Sequence, residues 1–131
     1  MSKISNYLKT KIINSTLRNI AYTSATTLYL ALYTTAPDAN GQGGVEAAYA
    51  GYARVDISDL MSAPSAGQTR NTSTILFPQN PASGATVNIV AVGITVELSD
   101  YIIFYHSFTS VPILVSQSPR ILENQFTLTE S

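Results

Sequence analysis

The hydrophobic positions of the chain follow a helical period at the start and a strand period afterwards. Near the N-terminus, apolar residues recur at three- and four-residue spacing and so share one face of an α-helix. They are Ile4, Tyr7, Leu8 and Ile12. Ser2 and Ser5 both belong to the residue types that cap a helix N-terminus. This spacing predicts one helix over residues 2–19.

A second group of apolar residues lies on another side of the predicted helix, namely Ile13, Leu17 and Ile20. Apolar residues on two sides are typical of a helix packed between its own domain and something else. The alternative is a helix that lies in a groove of its own sheet. The sequence leaves both interpretations open.

From residue 26 the apolar period changes to two, which is typical of β-strands. Residues 26–35 place Leu28, Leu30 and Leu32 on one side and further apolar residues on the other. Because both sides are apolar, this segment is predicted to be a central strand of a sheet. Similar patterns predict further strands at residues 52–58, 73–77, 87–98, 101–108, 111–116 and 125–129.

These strands predict a mainly β fold, an antiparallel β-sandwich or barrel of about seven strands with one N-terminal α-helix. The length of 131 residues indicates a single domain over residues 1–131, with the helix in residues 1–20 and the β domain in residues 21–131.

Glycine residues indicate where the strands are interrupted or bent. Residues 36–52 are expected to form a long loop with little to bury, and such loops are often functional or mobile. Within this loop, Asn40 and Gly41 predict a tight turn. Gly93 lies inside a predicted strand, where glycine indicates a bulge or a close approach of another part of the chain.

Charged residues make up only 11% of the chain, against about 25% in ordinary soluble domains. This low charge and the eight tyrosines predict that a partner covers part of the surface, and a homo-oligomer, a dimer or trimer, is expected. Residues 1–20 carry a net charge of +4 and residues 21–131 carry −5. The split indicates either a basic docking helix or a solvated helix face.

The predicted partner interface combines the basic residues of the helix with its first apolar face. It consists of Lys3, Tyr7, Leu8, Lys9, Lys11, Ile12 and Arg18. Nucleic acid is not an expected partner, because four basic residues near one aromatic ring are too few for a nucleic-acid surface. A membrane is not expected either, because no apolar run reaches the roughly 18 residues of a membrane span.

No set of residues in the sequence predicts catalysis. The chain lacks cysteine, and its one histidine, His106, lies between Tyr105 and Ser107 in a predicted strand. A catalytic histidine needs a nucleophile and an orienting carboxylate beside it. Asp56 and Asp59 form the closest carboxylate pair, but Asp59 fits a turn or a cap equally well. We therefore expect no enzyme, and no catalytic, metal-binding or cofactor-binding residues.

Four segments resemble a family of small tailed-bacteriophage virion proteins, often labelled tail fibre proteins. They are AYTSATTLYLALYT at residues 21–34, YARV at 52–55, NTSTILFP at 71–78 and VGI at 92–94. The sequence departs from the family pattern at Ala25, where proline is usual. It departs again after Ile94, where residues 95–100 replace a glycine-rich hairpin.

The resemblance implies a β-rich structural protein of the phage particle without catalytic residues. The first hypothesis is a capsid decoration or cement protein that binds the major capsid protein on the outer shell and stabilises contacts between capsomers. The alternative is a structural protein of the tail, baseplate or fibre. A third hypothesis, from a different class, is a carbohydrate-binding module or a glycan-degrading enzyme on the virion.

Overall fold

The computed structural model describes residues 2–22, 27–96, 102–123 and 127–129. In chain order, the elements are β1 (Ser2–Ile4), α1 (Asn6–Leu17), β2 (Leu28–Thr35), β3 (Val45–Glu46), β4 (Val55–Asp56), β5 (Gln68–Arg70), β6 (Ile75–Leu76), β7 (Val87–Val96), β8 (Ile102–Ile113), β9 (Arg120–Ile121) and β10 (Thr127–Thr129). Among these residues, no helix has the length and apolarity that a membrane crossing requires.

The long strands β2, β7 and β8 form the centre of one antiparallel sheet. Its strand order is β1-β8-β7-β2-β3, and β4 also pairs with β2. Two further antiparallel pairs, β5 with β10 and β6 with β9, lie outside this sheet. The predicted mainly β, antiparallel fold with one N-terminal helix is therefore confirmed.

Both faces of β2 are buried, as its sequence predicted. Leu30 and Leu32 belong to the main hydrophobic core, and Ala31 and Tyr33 belong to a smaller cluster on the opposite face. The main core also includes Ile57, which directly follows β4, and Ile75 in β6. β2 lies between β7 and the short strands β3 and β4, so the predicted central position is confirmed.

The predicted helix is too long at both ends. Residues 2–4 form β1, which pairs with β8, and the N–H of Ser5 continues this pairing by donating to Ile103 O at 2.9 Å. Ser5 then serves as the N-cap of α1, since its side chain accepts a hydrogen bond from the Leu8 N–H. At the other end, Asn19 adopts a left-handed conformation with φ of 53°, which a regular helix does not continue.

Residues 36–52 bury more than the sequence predicted. Val45 and Glu46 form β3, and the N–H of Ala47 donates to Leu32 O at 2.8 Å. Ala47 and Tyr49 are buried in the main core. The expectation of a long loop with little to bury is therefore wrong, because this segment adds an edge strand and a buried tyrosine to the sheet. The predicted turn is present, with Gly41 at a φ of 78°.

The two strands predicted at residues 101–108 and 111–116 are one strand, β8, with an irregularity between them. Ala91 pairs with Ser107 and Ile89 pairs with Val111, so three residues of β8 lie opposite one residue of β7. The sequence break at residues 109–110 therefore marks a bulge and not the end of a strand.

Gly93 provides the close approach that its position in a strand indicated. A Cβ atom at Gly93 would lie 3.0 Å from the Tyr33 ring and 3.3 Å from the Ile102 side chain. Several predicted strand ends, at residues 26, 97–98, 101 and 125–126, lie outside the described residues.

Candidate interaction surfaces

Large apolar side chains are exposed in two groups on this molecule. The first group consists of Ile13 and Leu17 in the C-terminal half of α1 and Ile20 just beyond its end. The second group surrounds the C-terminal half of β8 and consists of Leu76, Val111, Leu114, Val115 and Leu122. In the described part of the chain, Val45 is the one exposed large apolar side chain outside both groups. Exposed apolar patches that are contiguous mark interaction sites in soluble proteins.

The first group, which we call the helix stripe (Ile13, Leu17 and Ile20), follows from how α1 packs. Leu8 is buried in the main core, and Tyr7 and Ile12 are half-buried against it. The opposite side of the helix is left in water, and Leu17 is 77% exposed. One apolar side of the helix therefore packs on its own domain, and the other apolar side is exposed.

The basic residues of α1 are distributed unevenly around the helix stripe. Lys9 is exposed four residues before Ile13, so it lies on the same helix face. Lys11 places its ammonium group 5.6 Å from the centre of the Tyr7 ring. Arg18 donates a hydrogen bond to the Asn14 side chain at 3.3 Å. Lys9 is therefore the basic side chain that continues the stripe.

The structure separates the seven residues of the predicted partner interface. Leu8 lies in the core with 7% of its surface exposed, so it stabilises the domain and cannot offer a contact surface. The prediction is therefore corrected for Leu8, whereas the other six residues of the predicted interface stay a prediction. Lys3 lies in β1 opposite Tyr105, and its side chain lies outside the described part of the structure.

Leu76 and Val111 of the second group line a concave surface, which we call the apolar groove, of about 710 Å³. Its floor consists of buried core side chains, including Phe77, Ile89, Val92 and Ile113. Its walls are exposed or half-exposed, and include Leu76, Phe108, Val111 and Ile121. From Ile102 to Leu122, Arg120 is the only charged residue, and it also lines the groove.

A buried asparagine holds the segment beyond β8 against the groove. The N–H of Asn80 donates to Gln117 O, and its carbonyl accepts from the Ser116 N–H at 2.7 Å. The Asn80 side-chain amide also donates to Ile113 O at 3.2 Å. These bonds fix the turn at residues 114–117, where Ser116 adopts a φ of 64°. Sequence reasoning missed the groove, although its signal was the almost charge-free run from Ile102 to Leu122.

A half-buried polar network crosses the sheet edge near β3. The Arg54 guanidinium forms an ion pair with Glu46 at 2.9 Å, and the Tyr52 hydroxyl donates to the same carboxylate at 2.7 Å. Burial and this hydrogen bond raise the pKa of Tyr52, and the Glu46 carboxylate raises the pKa of Arg54. The Tyr52 oxygen also accepts from the Leu32 N–H. These groups therefore satisfy one another through hydrogen bonds and an ion pair.

Two other titratable residues singled out by the sequence, His106 and Asp56, contact aromatic and hydroxyl groups. His106 lines the apolar groove, with its ring 5.9 Å from that of Phe108. The carboxylate of Asp56 accepts hydrogen bonds from the backbone and hydroxyl of Ser58, which lowers the pKa of Asp56. Within the described ranges, no three His, Cys, Asp or Glu side chains are arranged to hold a metal ion.

The sequence matches the protein family described as Podophage GP4 fiber I protein gp80 over residues 3–128. This span includes α1, the central sheet and both exposed apolar groups. The match confirms the resemblance to phage virion proteins that the sequence segments indicated. A comparison with curated proteins finds no match to the chain.

Proposed function

Because the chain belongs to the podophage GP4 fibre I protein gp80 family, we propose that it is a non-enzymatic structural subunit of a phage fibre. Its role is to hold neighbouring subunits of the virion together through its exposed apolar surfaces. The observation that carries this proposal is the helix stripe, which the fold leaves unpartnered on a chain of the fibre family.

The helix stripe has the composition of an attachment surface. Burying an exposed Leu or Ile side chain contributes roughly 1.5–3 kcal/mol before the costs of association. Lys9 extends the same face with a positive charge, which mainly raises the association rate and makes it sensitive to salt. The stripe therefore supplies the affinity of the contact, and Lys9 steers an acidic neighbour towards it.

A capsid decoration protein is the second candidate, and the low overall charge of the chain favours it equally. The family description favours the fibre. Copy number separates the two, because a shell protein follows the symmetry of the shell, on the order of hundreds of copies, while a fibre subunit is present in about six to a few dozen. Quantitative mass spectrometry of purified particles measures this number.

The attachment surface is tested by Leu17→Glu, which places a charge in the middle of the helix stripe. Host cells are infected with a phage that lacks this gene while they express the variant chain, and its copies per purified particle are counted. We expect a loss of at least about tenfold, since one buried charge in an apolar contact costs more than 1.4 kcal/mol.

The matched control is Val45→Glu, which introduces the same charge at an exposed apolar residue outside both groups. It is expected to enter particles at the parental copy number. A thermal unfolding midpoint close to that of the parent verifies that each purified variant is folded. Normal incorporation of Leu17→Glu would contradict the proposed attachment surface.

A further inference from the structure

We propose that Asn40 is a self-modification site, at which the side chain is converted to aspartate or isoaspartate, and that a contact with the start of α1 sets the rate of this conversion. The reactants are the Asn40 side chain, the backbone nitrogen of Gly41 and water. This inference is independent of the proposed attachment function, because it concerns a turn that contains no residue of the helix stripe.

The pair Asn40 and Gly41 has the composition that this reaction needs. The chain has eight asparagines, and Asn40 is the one that is followed by glycine. In the reaction, the Gly41 nitrogen loses its proton and bonds to the side-chain carbonyl carbon of Asn40, and the amide group leaves as ammonia. Glycine favours this attack because it has no Cβ atom to crowd its nitrogen. The Asn40 side chain is exposed, so water reaches the five-membered imide that results.

Water then opens the imide at one of its two carbonyl groups. Attack at the former side-chain carbonyl restores the original backbone and leaves aspartate at residue 40. Attack at the backbone carbonyl leaves isoaspartate, in which the main chain runs through the side chain and is one methylene group longer. Each product has exchanged an amide NH2 for an OH group, so water is the only co-reactant.

Both reacting groups are held by hydrogen bonds in the folded chain. The Gly41 N–H donates to Asp38 O at 2.9 Å, which closes a turn. The Asn40 side-chain oxygen accepts from the Asn6 side-chain amide, also at 2.9 Å, so it is directed towards α1. Attack requires the Gly41 nitrogen to leave this turn and the Asn40 side chain to leave Asn6. The fold therefore slows the reaction, which proceeds through local openings of the turn.

Asn6 joins the turn to the start of α1 by two hydrogen bonds, which we call the Asn6 latch. One is the side-chain bond to Asn40, and the other runs from the Asn6 backbone N–H to Ala39 O at 2.8 Å. The Asn6 N–H belongs to the first turn of the helix, where N–H groups have no acceptor within the helix, so the turn supplies one. Because Asn6 and Asn40 are both exposed, the latch opens without disturbing the main core.

The isoaspartate product does not fit the folded turn. Gly41 is buried, and a Cβ atom built on it would lie 2.7 Å from Ile102 O and 3.2 Å from the Ser5 Cβ atom. A longer backbone at residue 40 displaces Gly41 from this tightly packed place. The aspartate product keeps the original backbone and an oxygen that accepts from Asn6. Isoaspartate therefore loosens the junction between the turn and α1, whereas aspartate preserves it.

The site is tested by incubating the folded chain in warm, mildly alkaline buffer, in which base removes the proton from the Gly41 nitrogen. Mass spectrometry of the tryptic peptide over residues 19–54 follows the conversion, and fragment ions separate Asn40 from Asn19. A sample digested at the start corrects for conversion during digestion. We expect Asn40 to convert faster than every other asparagine. The matched control is Asn40→Gln, whose longer side chain does not form the five-membered ring, and this peptide is expected to stay unmodified.

The latch is tested by Asn6→Ala, which removes the hydrogen bond to the Asn40 side chain. One hydrogen bond of typical strength corresponds to a factor of about two to ten, and the conversion rate at Asn40 is expected to rise by this factor. The matched control is Asn14→Ala, which removes a side-chain hydrogen bond with Arg18 from the same helix and is expected to convert at the parental rate. The parent chain in concentrated urea, where the turn is open, is expected to convert at least about tenfold faster than the folded chain.

The two products are compared by thermal unfolding. The isoaspartate form, separated by chromatography, is expected to unfold at a midpoint at least about 3 °C below that of the parent. Freshly purified Asn40→Asp has the backbone of the other product, and its midpoint is expected to stay close to that of the parent. Circular dichroism verifies that every variant is folded before incubation.

Three results would overturn the inference. If another asparagine converts ahead of Asn40, or if Asn40 converts no faster in urea, the turn is not the site that the fold protects. If Asn6→Ala leaves the rate unchanged or lowers it, the latch does not control the reaction. If the isoaspartate form is as stable as the parent, the turn accommodates the longer backbone.

Discussion

β2 and α1 both carry apolar side chains on two sides, but the fold buries them differently. In β2 the residues of both faces, such as Leu30 and Tyr33, are buried by the main core and by the smaller cluster. In α1 the side that contains Leu8 is buried, whereas Ile13 and Leu17 are exposed. The same sequence feature therefore has two structural outcomes.

The difference arises from how each element satisfies its backbone. A central strand depends on neighbours at both edges for hydrogen bonds, and an apolar strand is covered on both faces by the layers around it. A helix makes its backbone hydrogen bonds internally and needs only one apolar face to stay attached. Apolar residues on a second helix face are therefore not needed for folding, and the proposed attachment surface is based on this difference.

The largest expected effect on stability comes from truncating a leucine side chain in each of the two elements. Leu30→Ala removes a side chain with 0% exposure from β2, and it is expected to lower the free energy of unfolding by about 2–5 kcal/mol. Leu17→Ala in the helix stripe is expected to change it by less than about 0.5 kcal/mol, because this side chain is in water. Urea denaturation of the two variants measures both values.

These measurements are made on dilute protein, where association through the stripe does not add to stability. A loss at Leu17→Ala as large as that at Leu30→Ala would mean that the stripe packs within its own chain. The comparison between a fully buried strand and a half-buried helix would then be wrong.

Gly93→Ala tests how closely the second face of the sheet is packed. The added methyl group would lie 3.0 Å from the Tyr33 ring and 3.3 Å from the Ile102 side chain. Such overpacking is expected to lower the free energy of unfolding by about 1–3 kcal/mol. The same urea denaturation experiment measures this loss.

The control for Gly93→Ala is the same substitution in a Tyr33→Leu background, which replaces the ring by a shorter side chain. The loss caused by Gly93→Ala is expected to shrink there, since residues in contact show non-additive effects. An equal loss in both backgrounds would indicate that the strand resists the substitution for a reason other than contact with Tyr33.

Periodicity predicted the interior of the fold well because burial follows local alternation. The central position of β2, the long strand β7 and the close approach at Gly93 were all readable from residues near one another in sequence. The break in the pattern at residues 109–110 was also real, but it marked a bulge. Local sequence shows where pairing is interrupted, whereas only the partner strand determines whether the strand continues.

The remaining features depend on contacts between distant segments. Residues 2–4 form β1 because β8 offers an edge about one hundred residues later in the chain. Tyr49 is buried because its segment pairs with β2. The apolar groove combines β8 with residues from β6 and β9, so the almost charge-free run from Ile102 to Leu122 could not by itself reveal a groove. For the same reason, the predicted interface included Leu8, because helical spacing alone does not tell which side faces the core.

The smallest predicted effect concerns the junction that allows α1 to start directly after β1. Ser5 is fully buried, and its hydroxyl accepts a hydrogen bond from the Leu8 N–H at 3.4 Å. Ser5→Ala removes this cap and is expected to lower the free energy of unfolding by about 1 kcal/mol. The matched control is Ser15→Ala at an exposed helical position, where alanine is expected to be neutral or slightly stabilising because of its helix propensity. Urea denaturation compares the two, and equal values would mean that the Ser5 cap does not contribute to the stability of α1.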